Sequence, residues 1–137
     1  MLGQMKRTRP LIAVLDDEPR MCKALSRLLK THDYDVASFS FAEDMLAACA
    51  TQLPDCLLLD LHMPGMSGFE VLERFAAQQT PVPVIVVTGH DKPGNAERVQ
   101  ALGAVNYLLK PVKDQTLVEA IECVLNHEPS ENNLHPH

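Results

Sequence analysis

Leu11-Ile12-Ala13-Val14-Leu15-Asp16-Asp17 is an unbroken apolar run stopped by two acids. A short continuous apolar run suits a strand buried on both faces, as a parallel sheet requires. Pro19 then fits the first turn of a helix. Met21, Leu25, Leu28 and Leu29 follow at helical spacing and form one apolar stripe. The same order recurs downstream. Cys56-Leu57-Leu58-Leu59 ends in Asp60, Val84-Ile85-Val86-Val87 is closed by Thr88, and Val105 to Leu109 ends at Lys110-Pro111. Asp35 to Phe39 is a weaker strand candidate.

Helices fill the gaps between these runs. Ser40-Phe41-Ala42-Glu43 reads as a capping box opening a helix through about Ala50. Ser67-Gly68-Phe69-Glu70 reads as another, leading into a helix with Val71, Leu72, Phe75 and Ala76 inward. A more polar helix is expected from about Asn95 to Leu102, stopped by Gly103. Leu117, Ile121, Val124 and Leu125 mark a final amphipathic helix to about His127. Five strands alternating with five helices predict an α/β fold. It is a doubly wound, mostly parallel sheet with right-handed crossovers and helices on both faces. One domain is expected over residues 10–127, between an N-terminal tail at 1–9 and a C-terminal tail at 128–137.

Composition narrows the function classes. The chain has 137 residues, 46% of them hydrophobic and 22% charged, which is enough to build one ordinary core. A formal net charge of −6 argues against direct nucleic-acid binding, which depends on basic surface, and no basic cluster is read beyond Lys6-Arg7-Arg9. Cys22, Cys49, Cys56 and Cys123 form no Cys-x-x-Cys pair and read as small buried hydrophobes. Met1 to Pro10 carries no apolar core of a leader, and no apolar stretch approaches a membrane span. A cytoplasmic chain with reduced thiols is therefore expected.

The chemistry sits where the strands stop. Four of the five apolar runs end in Asp16-Asp17, Asp60, Thr88 and Lys110. In an open α/β sheet, ligands bind beyond the carboxyl ends of the strands, at the point where strand order reverses. Neighbouring strands lie about 4.8 Å apart, so these residues can converge on one small ion or phosphoryl group. Three carboxylates brought together repel one another unless a cation intervenes. A hard divalent ion such as Mg2+, which takes one or two carboxylates plus waters and phosphate oxygens, answers that need. Lys110 adds a compact positive charge and Thr88 a hydroxyl donor. The set suits phosphoryl transfer to a carboxylate nucleophile.

Val14-Leu15-Asp16-Asp17-Glu18, Leu58-Leu59-Asp60-Leu61-His62-Met63-Pro64-Gly65-Met66-Ser67-Gly68, Val87-Thr88-Gly89 and Leu109-Lys110-Pro111 together resemble the receiver domain of response regulators in two-component signalling. The likeness runs from about Arg9 to His127. It implies the flavodoxin-like strand order 2-1-3-4-5 in a three-layer sandwich. It also implies Asp60 as phosphoacceptor, Asp17, Asp60 and the His62 carbonyl as direct Mg2+ ligands, and Asp16 acting through water. By the same resemblance Thr88 would bond a phosphoryl oxygen, Lys110 would pair with the phosphate, and Lys110-Pro111 would be cis. Tyr107 matches the switch aromatic that would swing inward once Thr88 moves. The His62 side chain is expected to face solvent, or else to tune hydrolysis of the acyl phosphate.

Thr88-Gly89-His90 is similar to the nitrogen-fixation type of regulator, which carries a helix-turn-helix that is not read here. The resemblance implies a sensor histidine kinase or phosphotransfer protein as donor. It further implies a downstream protein target and homodimerisation on phosphorylation, with no membrane partner. The domain would catalyse only its own phosphorylation and dephosphorylation. The other readings are a degenerate receiver acting by binding alone, a small aspartyl phosphohydrolase, and a flavin carrier. The hydrolase lacks its Asp-x-Asp and room for a cap. The flavin carrier would meet two carboxylates where it needs a phosphate cradle.

Overall fold

The computed structural model describes residues 9–126. Its elements are β1 (Leu11–Leu15), α1 (Pro19–Thr31), β2 (Asp35–Phe39), α2 (Ala42–Thr51), β3 (Cys56–Leu59), α3 (Gly68–Ala77), β4 (Val84–Thr88), α4 (Asn95–Ala101), β5 (Asn106–Leu109) and α5 (Asp114–Leu125). The five strands form one sheet in the order β2-β1-β3-β4-β5, and every pair is parallel. The chain order reverses direction between β1 and β3, which opens a crevice at their carboxyl ends.

Alternation along each strand divides the core in two. Ile12, Val14, Cys56, Leu58, Ile85 and Val87 pack with Cys22, Leu25 and Leu29 of α1 and with Leu117 and Ile121 of α5. Ala13, Leu15, Leu57, Leu59, Val84 and Val86 pack on the other face with Met45, Val71, Leu72, Phe75 and Val99 of α2, α3 and α4. Because both faces are covered, the inner strands read as continuous apolar runs rather than as alternating ones. The helix reading to about His127 extends one residue past the described part of the chain, as do both proposed tails for nearly all their length.

Three expectations need correction. Ser40 does not cap α2: Phe41, an exposed residue, occupies the N-cap position, and no side chain caps that end. The helix starts one residue later than the box requires, which moves Glu43 out of the position that reaches back to the cap. At α3 the box does form. Ser67 Oγ accepts from the Glu70 N–H at 3.3 Å, and Glu70 Oε1 accepts from the Ser67 N–H at 2.8 Å.

The second correction concerns Cys123, which is exposed because it lies off the Leu117–Ile121 stripe, while Cys22 and Cys56 are buried. The third concerns basic clusters. Arg20, Lys23, Arg27 and Lys30 are all exposed on α1, and their spacing of three or four residues places them along one side of the helix. A run spread over ten residues of helix does not show as a cluster in the linear sequence.

Candidate functional site

Asp16, Asp60 and Lys110 each stand one step beyond the strand that carries them and are still tied into the sheet, Asp17 follows Asp16, and Thr88 is the last residue of β4. The Asp16 N–H donates to the Phe39 carbonyl at 3.1 Å, the Asp60 N–H to the Leu15 carbonyl at 3.0 Å, and the Lys110 N–H to the Thr88 carbonyl at 2.9 Å. The backbone therefore fixes where these side chains start, and β1, β3, β4 and β5 deliver them to one place. One carboxylate oxygen each from Asp16, Asp17 and Asp60 lies within 4.8 Å of the others. Asp16 and Asp60 are only 3% and 6% exposed, and Asp17 is half-buried.

Buried carboxylates at that spacing need positive charge. Lys110 Nζ donates to Asp16 Oδ2 at 2.8 Å and lies 3.9 Å from both Asp60 Oδ1 and Glu18 Oε1. Burial alone would lower the Lys110 pKa. The hydrogen bond to Asp16 and the charges of Asp60, Asp16 and Glu18 outweigh it and leave the value above the ordinary lysine range. Asp60 goes the other way. Burial pushes its carboxyl up to about 6; Lys110 and a backbone hydrogen bond from His62 pull it down, while Asp16 and Asp17 push it further up. One ammonium is thus insufficient for three carboxylates. The oxygen-only donor set and its residual negative charge fit a hard divalent cation such as Mg2+.

The rim is built from the loops after β3 and β4. Thr88 is fully buried, and its Oγ1 accepts from the His90 N–H at 3.2 Å. Accepting that bond leaves the hydroxyl hydrogen available for an oxygen on the site side. The His62 side chain is half-buried rather than wholly in solvent as expected. Its ring lies against that of His90, with centroids 4.3 Å apart and planes tilted by 59°, and its Nε2 is buried without a hydrogen-bond partner. Burial first, then repulsion from His90 and Lys92, lowers its pKa. The half-buried Tyr107 turns its hydroxyl outward to donate to Asp91 Oδ1 at 2.8 Å. The Lys110-Pro111 peptide bond is cis, as expected.

Sequence reasoning missed Gly68 as a site residue. A Cβ there would come within 2.5 Å of the Asp60 carbonyl oxygen and 2.8 Å of Leu61 Cα, so α3 approaches the end of β3 only because this position has no side chain. The Gly68 N–H donates to the Leu61 carbonyl at 3.1 Å and closes the same loop.

The response regulator receiver domain family matches residues 12–122. The chain belongs to that family. Among curated proteins, this receiver domain is 36% identical over 124 residues to the transcriptional regulatory protein FixJ of Bradyrhizobium diazoefficiens, covering 90% of the chain and 60% of that protein. It is 33% identical over 116 residues to protein PilH of Pseudomonas aeruginosa, covering 83% of the chain and 96% of that protein. The crystal structure of full-length FixJ from B. japonicum superposes with a TM-score of 0.83 at 35% identity, over 92% of this chain and 63% of that one. The receiver domain of a putative LuxO repressor protein from Vibrio parahaemolyticus gives 0.84 at 25% identity, over 94% and 99%. The receiver domain therefore spans about the whole of some relatives and 60% of FixJ. Among the described residues no helix is long and apolar enough to cross a membrane.

Proposed function

We propose that this receiver domain takes a phosphoryl group on Asp60, with Mg2+ held between Asp17, Asp60 and the His62 carbonyl and with Asp16 acting through water. The observation that carries this reading is the convergence of three carboxylates within 4.8 Å, with Lys110 Nζ 3.9 Å from Asp60. Such a set is costly for stability alone, because buried like charges raise the energy of the folded state. It becomes useful when the ligand brings both a cation and an anion.

In the proposed reaction an Asp60 carboxylate oxygen attacks phosphorus. The new O–P bond forms as the bond from phosphorus to the donor atom breaks, and the donor leaves with that electron pair. The bound cation would neutralise charge spread over the phosphoryl oxygens. Lys110 is placed to transfer its ion pair from Asp16 toward the phosphoryl group. Thr88 would donate its hydroxyl hydrogen to a phosphoryl oxygen, exchanging the position it holds against His90. Tyr107 would then move inward behind it and reshape the α4–β5–α5 face. The domain acts on itself alone, forming and losing its own acyl phosphate.

The donor on this reading is a sensor histidine kinase or phosphotransfer protein. The exposed basic side of α1, which starts two residues after the site's acids, suits an acidic surface on such a partner. We take the folded unit to be residues 10–127, working in the cytoplasm. Its phosphorylated face would pass the signal to a protein target or a second copy. Incubation of the chain with Mg2+ and acetyl phosphate, followed by intact mass, tests the reading. A single Mg2+-dependent phosphate adduct, absent from Asp60→Asn, is expected. Labelling that persists in Asp60→Asn would overturn the assignment, and no adduct in either would leave a receiver that works by binding alone.

A further inference from the structure

Two neighbouring residues of the β4–α4 loop are held at both ends of the route from the site to β5. At residue 90, the backbone N–H is bonded to Thr88 Oγ1 at 3.2 Å and the carbonyl accepts from Asn95 Nδ2, at the start of α4, at 3.2 Å. At residue 91, the carboxylate accepts the Tyr107 hydroxyl hydrogen at 2.8 Å. The His90 ring also rests on His62, in the loop that follows Asp60. The loop therefore cannot move at His90 without disturbing Asp91. The Asp91 bond, with Asn95 as a second hydrogen-bond partner of the same hydroxyl, holds the end of the Tyr107 ring at this loop.

We propose that Asp91 is a positioning residue that latches Tyr107 outward in the unphosphorylated protein, and that movement of Thr88 releases this latch through His90. The inference rests on the reading of Asp60 as phosphoacceptor. Its chemistry is that of a competition. Thr88 Oγ1 serves as acceptor for the loop N–H before phosphorylation and approaches a phosphoryl oxygen after it. The His90 N–H loses its partner as Thr88 moves, which removes one of the three contacts on residue 90 and loosens the neighbouring Asp91. Asp91 is exposed and the half-buried Tyr107 meets it at the surface, so water can take over each half of their bond when it breaks. A bond of that kind is strong enough to bias a rotamer and weak enough to release. The raised Tyr107 pKa, caused first by burial and then by the hydrogen bond to Asp91, agrees with a phenol whose proton is held by a carboxylate.

The latch has a cost for the site. If the outward arrangement resists phosphorylation, then only the minor, released population accepts the phosphoryl group readily. Removing the acceptor should raise that population without touching any group that meets the phosphate or the metal.

The test compares wild type, Asp91→Ala, Asp91→Asn and Tyr107→Phe as full chains, with and without Mg2+ and acetyl phosphate. Labelling is followed by intact mass, and the Tyr107 ring by its NMR signals; the only other tyrosine, Tyr34, is buried under α1 and gives a reference. In unphosphorylated Asp91→Ala the Tyr107 signals should shift toward those of phosphorylated wild type, and labelling should speed up about fivefold, the low end of ordinary coupling. Asp91→Asn keeps an acceptor oxygen and should stay near wild type. Tyr107→Phe should label as fast as Asp91→Ala, and combining the two should add nothing further. If wild type is labelled and its Tyr107 signals and labelling rate are unchanged in Asp91→Ala, the latch is overturned while the phosphoacceptor reading stands. If wild type takes no phosphate at all, both fall.

Discussion

β3 and β5 each deliver one group to the site, yet they are built in opposite ways. β3 is hydrogen-bonded on both sides, to β1 and β4, and all four of its residues are buried. β5 pairs only with β4, and its residues are exposed or half-buried, Leu109 at 45%. The first ends in Asp60 and the second carries Tyr107 and ends in Lys110. A strand locked on both edges and both faces fixes an atom in space. An edge strand with half its side chains in water can change its surface at small cost. In this receiver domain the acidic centre belongs to the first kind of structure, and the face we propose to carry the signal belongs to the second.

The largest test of that contrast is truncation in each strand. Leu58→Ala, in the fully buried β3, should cost roughly 2–5 kcal/mol by urea unfolding, as core leucines do. Leu109→Ala in β5 should cost less than about 1 kcal/mol on the exposed-site scale. Similar losses from the two would break the comparison.

Asp60 sets the next effect, and it depends on pH. In protein free of Mg2+, its carboxyl has a pKa of about 6 against an ordinary 3.8. A raised value means the folded state favours the protonated acid. This contribution is fully present below pH 4 and is lost as pH rises through 6. Asp60→Asn should therefore stabilise the metal-free protein at pH 7–8 by on the order of 3 kcal/mol, with the gain shrinking toward zero by pH 4. Unfolding curves across that range check it, and a gain independent of pH would contradict the burial argument. Gly68→Ala comes next. Its methyl would meet the backbone at Asp60 and Leu61, so a loss of about 1–3 kcal/mol is expected, with slower acetyl phosphate labelling. Wild-type stability would mean that α3 can back away from β3.

A small effect on stability and the sharpest on signalling is expected at the boundary between the two regions. Thr88→Ala removes one buried hydroxyl and the acceptor for the His90 N–H, at about 1 kcal/mol. It should still take up phosphate while its Tyr107 signals respond weakly. A response as large as wild type would take Thr88 out of the relay.

What the sequence made legible follows the same division. The inner strands were plain because burial on both faces leaves unbroken apolar runs, and each run visibly stops at the residue that enters the site. The order of the strands was legible only through the likeness to receiver domains, and with that order the meeting of Asp16, Asp17 and Asp60 follows. Other features depend on contacts between distant residues and leave no local trace. Gly68 looked like an ordinary helix-start residue, since nothing nearby in the chain shows that the β3 backbone is what it must clear. His62 was expected in solvent because its partner, His90, comes from another loop. The Asp91–Tyr107 bond joins residues on different elements in the same way. At α2 a genuine local signal was overruled: Ser40 and Glu43 have the spacing of a capping box, but the helix begins one residue too late to use it.

Hydrogen exchange on the wild-type chain with Mg2+, before and after acetyl phosphate, tests most directly whether a fixed acidic centre passes its charge to a movable edge. Altered protection concentrated in the segment from Gly89 to Leu125, with β1 and β3 unchanged, is the expected result. Changes spread equally through Ile12–Leu15 and Cys56–Leu59, or no change at all in a chain shown by mass to carry the phosphate, would contradict it.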